Sequence, residues 1–382
     1  MESKKKVYIL TLGAPYLFLN VGTFIQHWAM RNALKDLGYK PVRVPITGDE
    51  THAAAGGWAC YKAIIHRLVV VTLRTLGIKK YQSLPLTWRS FRYFGIVKAY
   101  RKSFRQHIGD YIEDTRDNGY ALILGGDQVL YDEYVRKSMD IPVRKRIVYG
   151  ASTNYGAAYY NEVWKSVVKQ FLPTYCGIGV RENAGVDFLN TLDIKSVHVA
   201  DPVMLMNVER IRDIAYNGMV FNKPTIFAYI LNCNNIADLR LDILETLSRN
   251  VGLDLRMFGI QGGESYIPTK YYKQLGPTEL IKAILDCDFF VTNSYHGTVL
   301  ALMLHKPFVT LKQKENKKLK GNLRQQELLT WMNLVSHLMT FEELRDKGTN
   351  ILSEIIEWET VDEKFAEFRE FSIEWLSKVL KE

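Results

Sequence analysis

The run Thr292-Asn293-Ser294-Tyr295-His296-Gly297-Thr298 sets a titratable ring, two hydroxyls and a glycine where an apolar strand, Phe289-Phe290-Val291, gives way to a helix expected to begin near Thr298. A helix start carries unpaired amides and the positive end of the helix dipole, so it attracts phosphate or carboxylate. Gly297 lets an anion approach the backbone, and Ser294 and Thr298 supply hydroxyl donors. Asn293 and Tyr295 flank them. His296 adds a proton that moves near neutral pH. The plainer reading of the same residues is a capped strand-to-helix turn with His296 satisfied inside it.

Other runs sit at the ends of apolar strands. Ala121-Leu122-Ile123-Leu124 leads into Gly125-Gly126-Asp127-Gln128, whose glycines permit left-handed or tight backbone and expose amides, while Asp127 and Gln128 suit sugar hydroxyls. The alternative makes Asp127 the cap of the next helix. Arg181 follows Gly179-Val180, where a guanidinium can grip phosphate or carboxylate with two hydrogen bonds. Its structural alternative is pairing with Glu182 or Asp201. Asn20-Val21-Gly22 opens the first long helix, and Ser152 closes the run Tyr149-Gly150-Ala151-Ser152.

Short apolar strands alternate with helical patterns in both halves, which predicts parallel strands joined by crossover helices. In such sheets ligands bind beyond the carboxyl ends of the strands, where these runs lie. The polar stretch between Met206 and Pro224 places a boundary between a first domain, residues 1–215, and a second, residues 216–382. The expected fold class is α/β, two Rossmann-like domains facing a cleft. A helical, basic insert over residues 51–109 is added to the first, and the second ends in terminal helices.

Taken in order, with the Asn20 run continued to Gln26, with Asp201-Pro202, and with His305-Lys306-Pro307-Phe308 after the His296 run, these segments resemble the polysaccharide pyruvyl transferase family from about Val7 to about Leu311. The chain departs at Ser294, where some members carry Arg two residues before the motif His, and at Gly126, where many carry Ser. The resemblance implies a glycosyltransferase-B-like fold that transfers the enolpyruvyl unit of phosphoenolpyruvate to two hydroxyls of a sugar, giving a cyclic pyruvate ketal and phosphate. It implies His296 as general acid or phosphate ligand, and Arg181 with the helix start at Gly297 and Thr298 as holders of the donor's anionic groups. Asp127 becomes the base, or the group that orients the acceptor hydroxyl. Asn20, Gly22, Gly125, Gly126, Gln128, Ser152, Asn293, Ser294 and Tyr295 would line the substrates. Phosphoenolpyruvate enters as donor substrate, and no cofactor or metal is called for. The rivals are a nucleotide-sugar-dependent glycosyltransferase, for which Glu315 is the nearest ribose-binding acid, and a carbohydrate-binding protein without turnover.

The net charge of +9 is concentrated: between Glu50 and Asp110 there are eleven Lys and Arg and no acid, so the rest of the chain sums to −2. Interleaved aromatics such as Trp88, Phe91 and Tyr100 make this segment read as a surface for an anionic membrane or a lipid-linked acceptor, ahead of nucleic acid. A solvated helical face that lacks acids is the plain alternative. The expected acceptor is a sugar or oligosaccharide on a lipid carrier, in capsule or exopolysaccharide synthesis. Val7 to Leu12 is too short for a signal-peptide core, and Ile64 to Ile78 is interrupted by His66, Arg67 and Arg74, so a cytoplasmic chain, peripheral at the inner membrane face, is expected. Cys60, Cys176, Cys233 and Cys287 stand far apart, which predicts buried thiols rather than a zinc site or disulfides.

Overall fold

The computed structural model describes residues 4–12, 20–44, 90–109, 118–153, 160–233, 235–260, 263–313 and 322–382. The first half runs β1 (Lys6–Leu10), α1 (Val21–Asp36), β2 (Lys40–Val44), α2 (Ser90–His107), β3 (Gly119–Asp127), α3 (Asp132–Asp140), β4 (Val143–Ala151), α4 (Glu162–Phe171), β5 (Gly177–Val180), α5 (Asn183–Asn190) and β6 (Val197–His198). The second runs α6 (Val208–Asp213), β7 (Thr225–Tyr229), α7 (Leu241–Val251), β8 (Asp254–Phe258), α8 (Pro277–Asp286), β9 (Phe289–Thr292), α9 (Tyr295–Met303), β10 (Phe308–Leu311), α10 (Leu323–Trp331), β11 (Leu338–Met339), α11 (Phe341–Lys347) and α12 (Trp358–Lys381). The strands form two sheets, ordered β2-β1-β3-β4-β5-β6 and β11-β10-β9-β7-β8, and every pairing is parallel. Strands such as β7 and β9 are buried at every residue, as sheets covered on both faces require.

Two helices depart from the one-sided pattern of a surface helix. Twelve of the 16 residues of α1 are buried, and all nine of α9 are. Helices buried all round lie in an interior. Here that interior is the junction of the two halves, where α1 touches both α8 and α9. One hydrophobic cluster accordingly runs from Ile9 and Phe24 through Phe290 to Leu376, while separate clusters fill the far face of each sheet.

Two further helices tie the halves together. The described part of the basic insert, α2, packs Tyr100 and Phe104 on Phe24 of α1 and bonds across to the second half. There buried Arg92 donates to the carbonyls of Glu264 and Ile267 at 2.8 and 2.7 Å, over the Tyr272 ring. The rest of the insert lies outside the described residues. The final helix, α12, sets His305 and Trp331 against its start and then crosses to the first sheet, where Trp375 meets Tyr149 and Ser372 Oγ accepts from Ala200 N at 2.8 Å. A terminal helix assigned to the second domain by sequence thus packs its last turns on the first. The cysteine reading needs a correction at Cys176, which is exposed; Cys233 and Cys287 are buried free thiols, and Cys60 lies outside the described residues. Among the described residues no helix is long and apolar enough to cross a membrane.

Candidate functional site

Arg181 follows β5 and is the hub of the junction. Its guanidinium is fully buried and donates to three carboxylates: Nη1 to Asp201 Oδ2 at 2.7 Å, Nε to Glu182 Oε1 at 3.0 Å and Nη2 to Asp127 Oδ1 at 3.0 Å. It also lies over the Tyr295 ring, 4.6 Å from the centroid. Burial works against its charge, but Asp127, Glu182 and Asp201 outweigh burial and hold it firmly protonated. Burial likewise opposes ionisation of Asp127, and Arg181, Arg324 and His296 reverse that, keeping the acid below the usual carboxylate range. Asp201 is depressed further, with His296 and Arg181 overcoming burial.

The glycine before Asp127 makes this pairing possible. Gly126 has φ 75° and Asp127 itself φ 54°, a left-handed pair that turns the Asp127 side chain out of β3 towards Arg181. Asp127 therefore does not cap α3, whose N-cap is Tyr131. Gln128 follows it, partly exposed, and buried Ser152 holds the turn by donating its amide to the Asp127 carbonyl at 2.8 Å. Ser152 thus supports Asp127 through its backbone.

His296 comes from the other half. The helix starts at Tyr295, not near Thr298, with Ser294 as N-cap, so His296 stands in its first turn. Its Nε2 lies 3.4 Å from Arg181 Nη1 and 3.5 Å from Asp201 Oδ2, between a cation and a carboxylate of the first half. The ring rests against Gly22, at the start of α1 behind the N-cap Asn20.

The remaining motif residues have different places from those expected. Ser294 Oγ accepts from the Gly297 amide at 3.2 Å, so that amide is not left for an anion. The Thr298 hydroxyl donates to Ser294 O and meets Thr310 Oγ1 inside the helix-to-sheet packing. Gly297 leans on Thr292, where a Cβ would come within 2.6 Å of Oγ1. Asn293 clamps both backbone groups of Leu231, at 2.7 and 2.9 Å, and Gly125 packs on the Tyr149 carbonyl. These five take part in the packing that holds the site. Tyr295 does line it, stacked under Arg181 with its phenol raised by burial.

Four further contributors stand outside the expected site residues, and two of them, Arg324 and Glu327, lie in no motif. Arg324 of α10 reaches Asp127 Oδ1 at 3.3 Å, and its Nε is buried with no partner. Gln26 of α1 donates to Asp201 Oδ2 at 2.7 Å and leaves Oε1 without a partner. Glu327, one helical turn beyond Arg324, accepts from the Asn183 and Ala184 amides at 3.0 and 3.1 Å, so a carboxylate of the second half fills the anion site at the start of α5. Asp201, in the Asp201-Pro202 run, is the partner of Arg181 that the plainer reading named. Polar residues at helical spacing look solvated in a sequence, and only the approach of the two halves turns them inward.

A model of the polysaccharide pyruvyl transferase family matches residues 20–314, which include every side chain of this cluster except Arg324 and Glu327. The chain belongs to that family. A comparison of the sequence with curated proteins finds no match. Among solved structures, this pyruvyl transferase family member is similar to the UDP-GlcNAc 2-epimerase of Methanocaldococcus jannaschii in complex with UDP-GlcNAc and UDP. That match has 11% identity and TM-score 0.53, covering 98% of this chain and 99% of that one. It is also similar to the spinosyn rhamnosyltransferase SpnG complexed with spinosyn aglycone, at 12% identity and TM-score 0.50, covering 98% and 100%. At such identities the likeness is one of fold: two parallel-sheet α/β domains in the glycosyltransferase-B manner. Within the family scaffold, Ser294 is a helix cap, and among the described residues Arg324 is the second cation on Asp127.

Proposed function

We propose that this protein transfers the three-carbon unit of phosphoenolpyruvate to two hydroxyls of a sugar, forming a cyclic pyruvate ketal and releasing phosphate. The observation that carries the reading is the meeting of two arginines and an imidazole from both halves, with one arginine nitrogen, Arg324 Nε, still without a partner. Protonation of the donor's C3 makes C2 electrophilic. The first sugar hydroxyl adds there, the C2–O bond to phosphate breaks, and the second hydroxyl closes the ring. Of the two hydroxyl protons, one balances the new methyl group and the other leaves with phosphate.

His296 supplies the proton to C3, with Asp201 as its counter-charge. Arg324 binds the donor's phosphate or carboxylate, while Arg181, committed to three carboxylates, positions Asp127, Asp201 and Tyr295. Asp127 is too acidic to be a good base, so it orients an acceptor hydroxyl. The acceptor is a sugar carried on a lipid, at a stage of capsule or exopolysaccharide assembly, and the enzyme works peripherally at the membrane face. No cofactor beyond the donor enters this scheme.

The test is incubation of the purified chain with phosphoenolpyruvate and a panel of lipid-linked sugars. Phosphate release matched by a mass gain of pyruvate less water supports the reading, and absence of both across the panel sinks it. His296→Asn should lower turnover by about 10²- to 10⁴-fold, the range of a lost general acid.

A further inference from the structure

The outward face of α2 carries Lys98, Arg101, Lys102 and Arg105, spaced three, four and seven residues from the first and therefore on one side of the helix. The opposite side, with Ile96, Val97, Tyr100 and Phe104, is buried in the protein. These four cations line an open groove of about 940 Å³ whose other wall is Gln274 and Glu279 of the second half. A second groove, of about 530 Å³, lies along the β2 edge of the first sheet and is lined by Lys4, Arg31, Lys35, Lys40 and Arg43. Arg43 joins the two, since its guanidinium stands 5.3 Å from the Phe104 ring, next in sequence to Arg105. Eight cations and the buried Arg43 thus line two neighbouring grooves, and Glu279 is the sole acid among the described residues that line them.

We propose that this basic face is where the protein docks on a bilayer containing anionic phospholipid. The cations are spread along two open grooves instead of converging on one point, which matches a plane of headgroups better than one seated ligand. The apolar side of α2 is already used inside the protein, so attachment through α2 is electrostatic, and salt weakens it. The face also has a sound relation to the site. Phe24, two residues after the Gly22 that touches His296, packs on Tyr100 and Phe104, so α1 alone separates the basic helix from the imidazole. The proposal deepens the reading of a lipid-carried acceptor but is tested apart from it.

The test is sedimentation of the full chain with phosphatidylcholine vesicles, with and without phosphatidylglycerol, at low and high salt. Binding should require phosphatidylglycerol and fall with salt. The exposed pair Lys98→Ala and Lys102→Ala together should weaken it by roughly 30-fold, two cations at about 1 kcal/mol each. Turnover of the same variant on a water-soluble acceptor should be unchanged. Equal binding to neutral vesicles, indifference to salt, an unaltered Lys98→Ala/Lys102→Ala variant, or displacement of the vesicles by an equal charge of duplex DNA would each overturn the docking proposal. Vesicle binding without any turnover would leave docking intact and remove the catalytic reading alone.

Discussion

Gly22 and His296 face each other so closely across the junction that a Cβ on residue 22 would lie 2.1 Å from the imidazole Nδ1. Gly22 belongs to α1 of the first half, and His296 to α9 of the second. The missing side chain is therefore what lets the ring reach Arg181 and Asp201. Gly22→Ala must move either the ring or the helix, costing about 1–3 kcal/mol as overpacking does. A displacement near 1 Å at a reacting group can cost on the order of 100-fold in rate. We expect a lowered urea midpoint together with a much lower kcat, and a fully active Gly22→Ala protein would show that the ring is not held there.

Arg181→Met tests the hub. Removing the cation leaves Asp127, Glu182 and Asp201 buried around an apolar side chain, and losing one partner of a buried ion pair costs about 3–5 kcal/mol. Equilibrium urea unfolding measures this. Adding Asp201→Asn to Arg181→Met removes one of the stranded charges, so the double variant should be more stable than the single one. Equal stability would mean that the three carboxylates do not depend on this guanidinium.

Much of this architecture is legible before any coordinates, because parallel strands buried on both faces read as plain apolar runs. The runs Ala121-Leu122-Ile123-Leu124 and Phe289-Phe290-Val291 lie within the strands Gly119–Asp127 and Phe289–Thr292. Asn20 and Gly22, Arg181, Asp127 and His296 are brought together, as the ordered motifs lead one to expect. Less legible is the division of labour within a motif. Ser294, Gly297 and Thr298 have the residue types of an anion site, yet in a helix that begins at Tyr295 the Gly297 amide and the Thr298 hydroxyl both bond back to Ser294. The short helix α5 was not foreseen, since eight residues give too few turns for a clear period. Arg324 was invisible for another reason. It lies about 140 residues beyond Arg181 in the chain, and only the closing of the two halves places both on Asp127.

Arg324→Ala separates donor binding from scaffold. Arg324 makes one contact with Asp127, so its loss should disturb stability far less than loss of Arg181. A charge-assisted hydrogen bond contributes about 1.5–3 kcal/mol, which translates to roughly 10- to 100-fold in KM for phosphoenolpyruvate. KM for the sugar acceptor should barely move. If the acceptor KM rises instead, Arg324 belongs to the sugar side of the cleft.

The depressed acids fix the sign of the pH dependence. Asp127 and Asp201 have folded-state values below the unfolded value of about 3.9, despite burial, because Arg181 and His296 lie beside both. In the window between those values the unfolded chain binds more protons than the folded one. Their stabilisation is therefore fully present above about pH 4 and is lost as pH falls through the folded values. Between pH 7 and 5 this pair should add no slope to the urea midpoint, and below about pH 4 the midpoint should drop. Asp127→Asn should be less stable than the parent at pH 7, with the gap narrowing as pH approaches 3. Parallel profiles for parent and variant across that range would show that the Asp127 carboxylate is not held ionised by the arginines around it.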